Sequence, residues 1–126
     1  MATVGARLVA VAPGYCAIDL VPTPALSQQH GYLHAGVVAM IVDSAGGYAG
    51  FTLFPATASV LSVEFKLNLL APAQCDRIVA AGFVVDLGAD FVVLATGVAF
   101  EAPAEAPRPL DGPAVPVTPR NSANAP

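Results

Sequence analysis

The sequence predicts an α+β fold in which a curved antiparallel sheet wraps one long central helix. One Pro-free apolar stretch, residues 35–54, is long enough for a helix of about 30 Å at about 1.5 Å per residue. Two strand-like segments precede this stretch and three follow it, with turn residues between them. Strands grouped around a single buried helix favour a single α+β domain, which the length of 126 residues also indicates.

Two short predicted strands precede the helix and three long ones follow it, with Gly and Pro at the turns. Pro13-Gly14 is a turn signal between the first two strands, and Pro55 ends the helix. The third strand alternates apolar and polar side chains, so we expect one face to pack on the helix and the other to meet solvent or a second subunit. The strands are residues 7–12, 15–21, 57–70, 77–86 and 91–101, with a turn at 87–90.

The composition changes at residue 102. From there the chain is Pro, Ala and isolated charges. Such a segment cannot bury enough apolar surface to offset its ordering entropy. We therefore predict a folded domain over residues 1–101 and a disordered tail over residues 102–126.

Charge and hydrophobicity restrict the possible partners. The formal charge of −4 leaves no basic surface for nucleic acid. Only 11% of the residues are charged and 56% are hydrophobic, against about 25% charged in an average domain. A small monomer cannot bury that much apolar surface, so the composition favours a homo-oligomer.

Three residues bear on cellular location. The apolar stretch could span a bilayer, but Asp43 would then lie near the midplane, and no Lys or Arg closely flanks either end. Cys16 and Cys75 have no metal-ligand spacing and are expected to be reduced thiols. We expect a cytoplasmic protein that does not enter the membrane.

Asp43 is the one acid in the predicted helix. A carboxylate in apolar surroundings costs several kcal/mol unless it is paired, hydrogen-bonded or neutralised. Buried carboxyls are frequent catalytic groups, and a structural Asp that bonds nearby backbone is the alternative. The side of the helix that carries Asp43 is formed mostly by small residues, which leave room for a ligand or for another backbone. The residues on this side with Asp43 are Gly36, Ala39, Met40, Gly46, Gly47 and Gly50.

A polar loop, residues 28–34, leads into the helix. The first free amides, at Ala35 and Gly36, therefore face polar side chains, and a helix N-terminus can hold a developing oxyanion. Ala35 lies eight residues before Asp43, about 12 Å along the axis, too far for both to contact one carbonyl. If both belong to one site, they come from different subunits, so an enzyme here would be a dimer.

The motif from Gln28 to Asp43, Gln-x-His-Gly-x-x-His-x-Gly followed by Asp, resembles the hotdog-fold acyl-CoA thioesterases of the phenylacetate-degradation type. Residues 62–73 resemble the strand that follows the central helix in that family, and the similarity covers about residues 5–101. The resemblance implies a hotdog fold, an acyl-CoA substrate, a homodimer or homotetramer with shared sites, and no metal or redox cofactor.

The resemblance also implies roles for the helix residues. Asp43 stands at the acid position, as general base toward water or as nucleophile toward the thioester carbon. Ala35 replaces the first Gly of the family's His-Gly-Gly, whose N–H polarises the carbonyl, and an Ala that needed φ > 0 there would be strained. Gly36 keeps the second glycine.

Further candidates lie outside the helix. His34 matches the motif histidine, which orients the carbonyl or shapes the loop, or else only caps the helix. Gln28 matches an amide that contacts the thioester or the water, with an ordinary loop amide as the alternative. Ser62 matches a water-positioning serine, although strict alternation turns it away from the apolar face. Lys66 and Arg77 are the basic residues of the central strands, either holding the nucleotide phosphates or forming a solvated surface.

Two other functions remain open. A hotdog dehydratase or hydratase would act on an enoyl thioester, but the Asp43 spacing and the Gln28 loop favour hydrolysis. A non-catalytic acyl-thioester binding module would bind acyl-CoA without turnover.

Overall fold

The computed structural model describes residues 1–88 and 92–101. Its sheet is antiparallel, in the order β1-β2-β3-β4, and helix α1 lies against β2, β3 and β4 on one face. The predicted α+β architecture around one central helix is therefore confirmed. The elements are β1 Arg7–Ala12, β2 Tyr15–Leu20, α1 Ala35–Phe51, β3 Arg77–Leu87 and β4 Val92–Glu101, with short 3-10 helices at Ala2–Val4 and Pro24–Leu26.

Helix α1 begins where predicted and ends at Phe51, three residues before the predicted end. The Thr52 hydroxyl explains the end: it donates to the Ala49 carbonyl at 2.6 Å and accepts the Gly14 N–H at 2.7 Å. Gly14 has φ +72°, which suits glycine in the β1–β2 turn. The hydroxyl thus joins the end of the helix to that turn.

The core lies between α1 and the inner face of the sheet. Gly82 of β3 sits directly beneath the helix, where an added Cβ would collide with the backbone of Ala45 and Gly46. The helix backbone therefore rests on the strand without an intervening side chain. The fully buried apolar side chains around this contact are Cys16, Ile18, Leu20, Ile41, Ala45, Ala49, Ile78 and Ala80.

The predicted third strand, residues 57–70, is wrong for the isolated chain. No strand is formed there, and no backbone hydrogen bond joins residues 59–71 to any other described residue. Leu67 packs against the core, but Val63 is 82% exposed and Phe65 56%, so the expected apolar face does not pack on the helix. The segment is extended, but without a neighbouring chain segment its backbone has no ladder partner.

The other strands agree with the predicted ranges closely, β2 ending at Leu20 and β3 reaching Leu87. The predicted 87–90 turn and the tail at 102–126 fall largely or wholly outside the described residues. Throughout residues 1–88 and 92–101, no helix is long and apolar enough to cross a membrane.

Candidate active site

Asp43 lies in an open groove between α1 and the extended segment that follows it. The groove has a volume of about 400 Å³. Its helix wall carries Asp43 and, one turn later, Gly47, because residues four apart share a helix face. Other residues that line it are Tyr48, Phe51, Ser59 and Ser62.

Ser62 contacts the acid directly. Its hydroxyl donates to Asp43 Oδ1 at 2.5 Å, and the Asp43 side chain is half-buried. The alternation predicted for this segment does not hold: Ser62 faces the helix and Val63 faces outward, whereas Leu67 packs against the core. The structure therefore brings together two of the residues predicted for the site.

The helix N-terminus forms a second group. His34 is the N-cap, with φ −64° and ψ 133°, and its Nδ1 accepts the Gly36 N–H at 2.9 Å. A Cβ at Gly36 would lie 3.0 Å from that nitrogen, so the glycine leaves room for the imidazole. Capping thus occupies the Gly36 amide, one of the two predicted donors.

The Ala35 amide is the donor that remains. Within residues 1–88 and 92–101 no acceptor binds its N–H, and no residue other than glycine has positive φ. Alanine therefore takes the place of the motif glycine without backbone strain. The N–H lies in the first turn, where the positive end of the helix dipole favours a developing negative charge.

Gln28 belongs to the loop before the helix. Its side-chain oxygen accepts the His30 N–H at 2.8 Å, and its backbone N–H donates to the Tyr32 carbonyl at 2.8 Å. Gln28 also lines a second groove of about 480 Å³, formed by residues 22–31.

Within one chain the predicted site is therefore in two halves. Asp43 and Ser62 form one half, while Ala35 and its loop form the other, eight residues earlier on the helix. That spacing is about 12 Å along the axis. A single subunit does not bring the acid and the free amide to one reacting carbon.

Among residues 1–88 and 92–101 the fully buried acid is Asp19, which was not among the predicted site residues. Arg7 donates to both of its oxygens at 3.0 and 2.7 Å, and Arg77 donates to Oδ2 at 2.8 Å. Arg77 also binds Glu101 at 2.9 Å. The Arg7 hydrogen bonds lower the pKa of Asp19, burial acts in the opposite direction, and Arg77 lowers the pKa further.

This cluster also bears on the residues considered for coenzyme A phosphates. Arg77 is bound to two carboxylates, so little of its charge is available to another anion. Lys66 forms no ion pair with a described residue. A signal was present in the sequence, since Asp19 lies inside an apolar strand and must find cations.

The structure combines a central helix on an antiparallel sheet, an acid–hydroxyl pair on the flank of the helix and an open amide at its start. Comparison with known proteins identifies the class of protein to which this arrangement belongs. The thioesterase superfamily matches residues 30–99, more than half of the chain. The protein belongs to this superfamily and is a thioester hydrolase. The matched residues include Asp43, Ser62 and the helix N-terminus.

Individual relatives agree with this assignment. A thioesterase family protein from Silicibacter pomeroyi is 44% identical, with a TM-score of 0.76 over 78% of this chain and 72% of that one. The 1,4-dihydroxy-2-naphthoyl-CoA hydrolase of Listeria monocytogenes is 27% identical over 86 residues, which are 68% of this chain and 70% of the relative.

The fold is also that of the PaaI protein from the phenylacetic acid degradation operon of E. coli. Its TM-score is 0.72 at 16% identity, over 79% of this chain and 70% of that one. The predicted hotdog fold is therefore confirmed, and the superfamily match confirms the resemblance to thioesterases.

Proposed function

We propose that the protein hydrolyses a small aromatic or aliphatic acyl-CoA in a site that two subunits share. The hydrogen bond from Ser62 to Asp43 carries the proposal, because it fixes a carboxylate in a groove where a substrate can reach it. The similarity to a hydrolase named for a naphthoyl-CoA supports coenzyme A thioesters as the substrate class.

Asp43 is the residue that starts the reaction. Ser62 engages Oδ1, which leaves Oδ2 to meet a water or the thioester carbon. As general base, Asp43 takes a proton from water while the water oxygen bonds to the carbonyl carbon; the C–S bond then breaks, and Asp43 returns the proton to the thiolate sulfur. As nucleophile, an Asp43 oxygen bonds to the carbonyl carbon, the C–S bond breaks and the thiolate leaves; water then hydrolyses the resulting mixed anhydride, and a proton of that water passes to the thiolate. Both routes release the free acid and the thiol of coenzyme A.

The Ala35 N–H polarises the carbonyl from a second subunit. The hydrogen bond from the Gly36 N–H to His34 caps the helix and holds its first turn in place. Gln28, in the loop before the helix, contacts the thioester or the water. Because one chain holds Asp43 and Ala35 apart, the complete site needs the helix N-terminus of a partner.

The extended segment provides a surface for that partner. The backbone of residues 59–71 has no partner among the described residues, and Leu61 and Leu70 on it are 86% and 94% exposed. An unpaired segment of this kind is a template for pairing with a second copy about a two-fold axis. We propose a homodimer or a homotetramer built from such dimers.

The proposed chemistry requires no metal and no redox cofactor, since a carboxylate, a water and an amide suffice. Cys16 and Cys75 are free thiols. Cytoplasmic localisation stays a prediction.

Thiol release from a panel of acyl-CoAs tests the activity and the acid together. We expect turnover by the wild type and a loss of about 100-fold or more in Asp43→Asn, or roughly 3 kcal/mol of transition-state stabilisation. No thiol from any thioester, with the protein folded and oligomeric, would instead support a binding module. Hydration of an enoyl-CoA without thiol release would support a hydratase.

Ala35→Pro tests the amide with little disturbance to the helix. Proline is favoured at the first helical position and has no N–H, and the extended backbone of His34 suits a residue before proline. We expect kcat to fall by about 100-fold, whereas Ala35→Gly, which keeps the N–H, should retain activity. Equal activity of the Pro and Gly variants would rule out the amide.

Mixing two inactive variants tests the shared site. Asp43→Asn and Ala35→Pro subunits, unfolded and refolded together, form heterodimers that contain one intact site. Random pairing should restore about a quarter of wild-type activity. A mixture as inactive as its parents would show that Asp43 and Ala35 act within one chain.

A further inference from the structure

Gly47 differs from the other glycines of α1. At Gly36 and Gly46 an added Cβ would press on a neighbouring side chain, and at Gly50 it would be in van der Waals contact with one, so each of these glycines packs against a side chain. Those contacts are His34 at 3.0 Å for Gly36, Thr96 at 3.2 Å for Gly46 and Leu94 at 3.4 Å for Gly50. At Gly47 an added Cβ would meet no described atom within 4 Å.

A glycine with space around it is costly inside a helix. Glycine loses more backbone entropy on folding than alanine, so a helix gains stability from alanine wherever a methyl group fits. A methyl group fits at Gly47, which lies inside α1, one turn before its last residue Phe51. Stability and packing therefore give no reason for glycine at this position.

The groove supplies a reason. Gly47 lines it one turn after Asp43, and the next wall residues on the helix are Tyr48 and Phe51. A substrate whose carbonyl lies at Asp43 can extend its acyl group along the helix across Gly47 to reach these aromatic rings. The missing side chain sets the width of the groove at this crossing.

We propose that Gly47 determines acyl specificity by admitting branched or ring-bearing acyl groups, which cross the bare helix backbone toward Phe51. The inference rests on the proposed function, since it assumes that Asp43 lies at the thioester carbonyl. It makes Gly47 a specificity-determining residue with no part in the chemistry.

The test uses coenzyme A thioethers, which have no carbonyl to attack, so binding is measured apart from hydrolysis. Isothermal titration compares S-methyl-CoA with S-benzyl-CoA. We expect Gly47→Val to weaken S-benzyl-CoA by about tenfold or more and S-methyl-CoA by less than about twofold, with Gly47→Ala between wild type and Val. Ala10→Val adds similar bulk on the exposed strand β1, away from the groove, and should leave the ratio of the two affinities unchanged.

Gly47→Ala should also raise the melting temperature, since the methyl group has room. Light scattering on the same variants gives the oligomer mass. A smaller oligomer in Gly47→Val would mean that Gly47 serves close approach of a second copy, and that would overturn the inference. Equal effects on both thioethers, no effect on either, or no binding by the wild type would also overturn it.

Failure of the inference and failure of the proposed function give different results. Thiol release by the wild type without a selective effect at residue 47 would remove only the specificity role. Selective loss of S-benzyl-CoA binding without thiol release from any acyl-CoA would keep the groove as an acyl site and remove the hydrolysis.

Discussion

Asp19 and Asp43 both lie in apolar segments of the chain, but their surroundings differ. Asp19 has no exposed surface and accepts three hydrogen bonds from two arginines. Asp43 is half-buried and accepts one bond from a serine. A carboxylate whose oxygens are already satisfied by cations cannot take up a proton or meet a substrate readily. The comparison indicates that Asp19 stabilises the sheet, whereas Asp43 is available for chemistry.

The position of each acid matches this division. Asp19 lies on β2, a central strand, and its arginines come from the strands on either side. Two arginines and two carboxylates make the cluster neutral, and it holds β1, β2, β3 and the end of β4 in one arrangement. Asp43 lies at the open flank of the helix, beside a segment that has no backbone partner.

The largest expected effect is on the stability of the fold when Asp19 is made neutral. Asp19→Asn leaves the two guanidinium groups without their shared buried anion, and we expect unfolding free energy to fall by about 3 kcal/mol. The kcat of the molecules that remain folded should not change. Chemical denaturation and an activity assay on the same sample measure both quantities.

Glu101→Gln is the matched control, because Glu101 binds the same Arg77 but is 55% exposed. An exposed pair contributes about 0–1 kcal/mol. If Asp19→Asn proved fully stable but inactive, the assignment of roles to the two acids would be reversed.

Lowering the pH should have a smaller effect on the stability of the fold. Asp19 has a lowered pKa in the folded state, so its stabilising contribution is present above the unfolded value of about 3.9 and is lost as pH falls through the folded value. The wild type should therefore exceed Asp19→Asn in stability at neutral pH, and the gap should narrow as the pH falls below about 4. Denaturation curves of both proteins across this range measure the gap. A gap that stayed constant to the lowest pH would show that the Asp19 charge contributes nothing.

The smallest effect should come from Ser62→Ala. The serine orients Asp43 but does not carry the reaction, so we expect kcat to fall about fivefold, equal to about 1 kcal/mol, with little change in stability. Ser59→Ala, which changes the same groove at a residue that has no side-chain hydrogen bond within the described chain, is the control and should remain near wild type. A loss as large as that of Asp43→Asn would assign Ser62 a direct part in the reaction.

The sequence predicted the features that are local in the chain. Asp43 was recognisable because it is the one acid in an apolar helix, and the start of the helix because a polar loop precedes Ala35. The burial of Asp19 in an apolar strand was recognisable, but its partners were not, because its arginines are 12 and 58 residues away and meet it only through the register of the sheet.

Dependence on contacts distant in sequence also limited the prediction for residues 57–70, which follow the helix. Alternation predicted an extended segment, but it does not say which neighbour completes a strand or which way a side chain turns. The orientation of Ser62 toward Asp43 depends on how the segment crosses the helix flank. The open position of Gly47 depends on the same crossing.

In the proposed oligomer, the backbone of residues 59–71, which has no partner among the described residues, makes the lone chain an assembly intermediate. A newly released subunit presents an apolar, strand-forming edge that could join a fibril as readily as a partner. Glu64 and Lys66 interrupt the apolar residues with charge, as gatekeepers do. The rate of synthesis then matters as much as folding, because each subunit must meet its partner before it meets an aggregate.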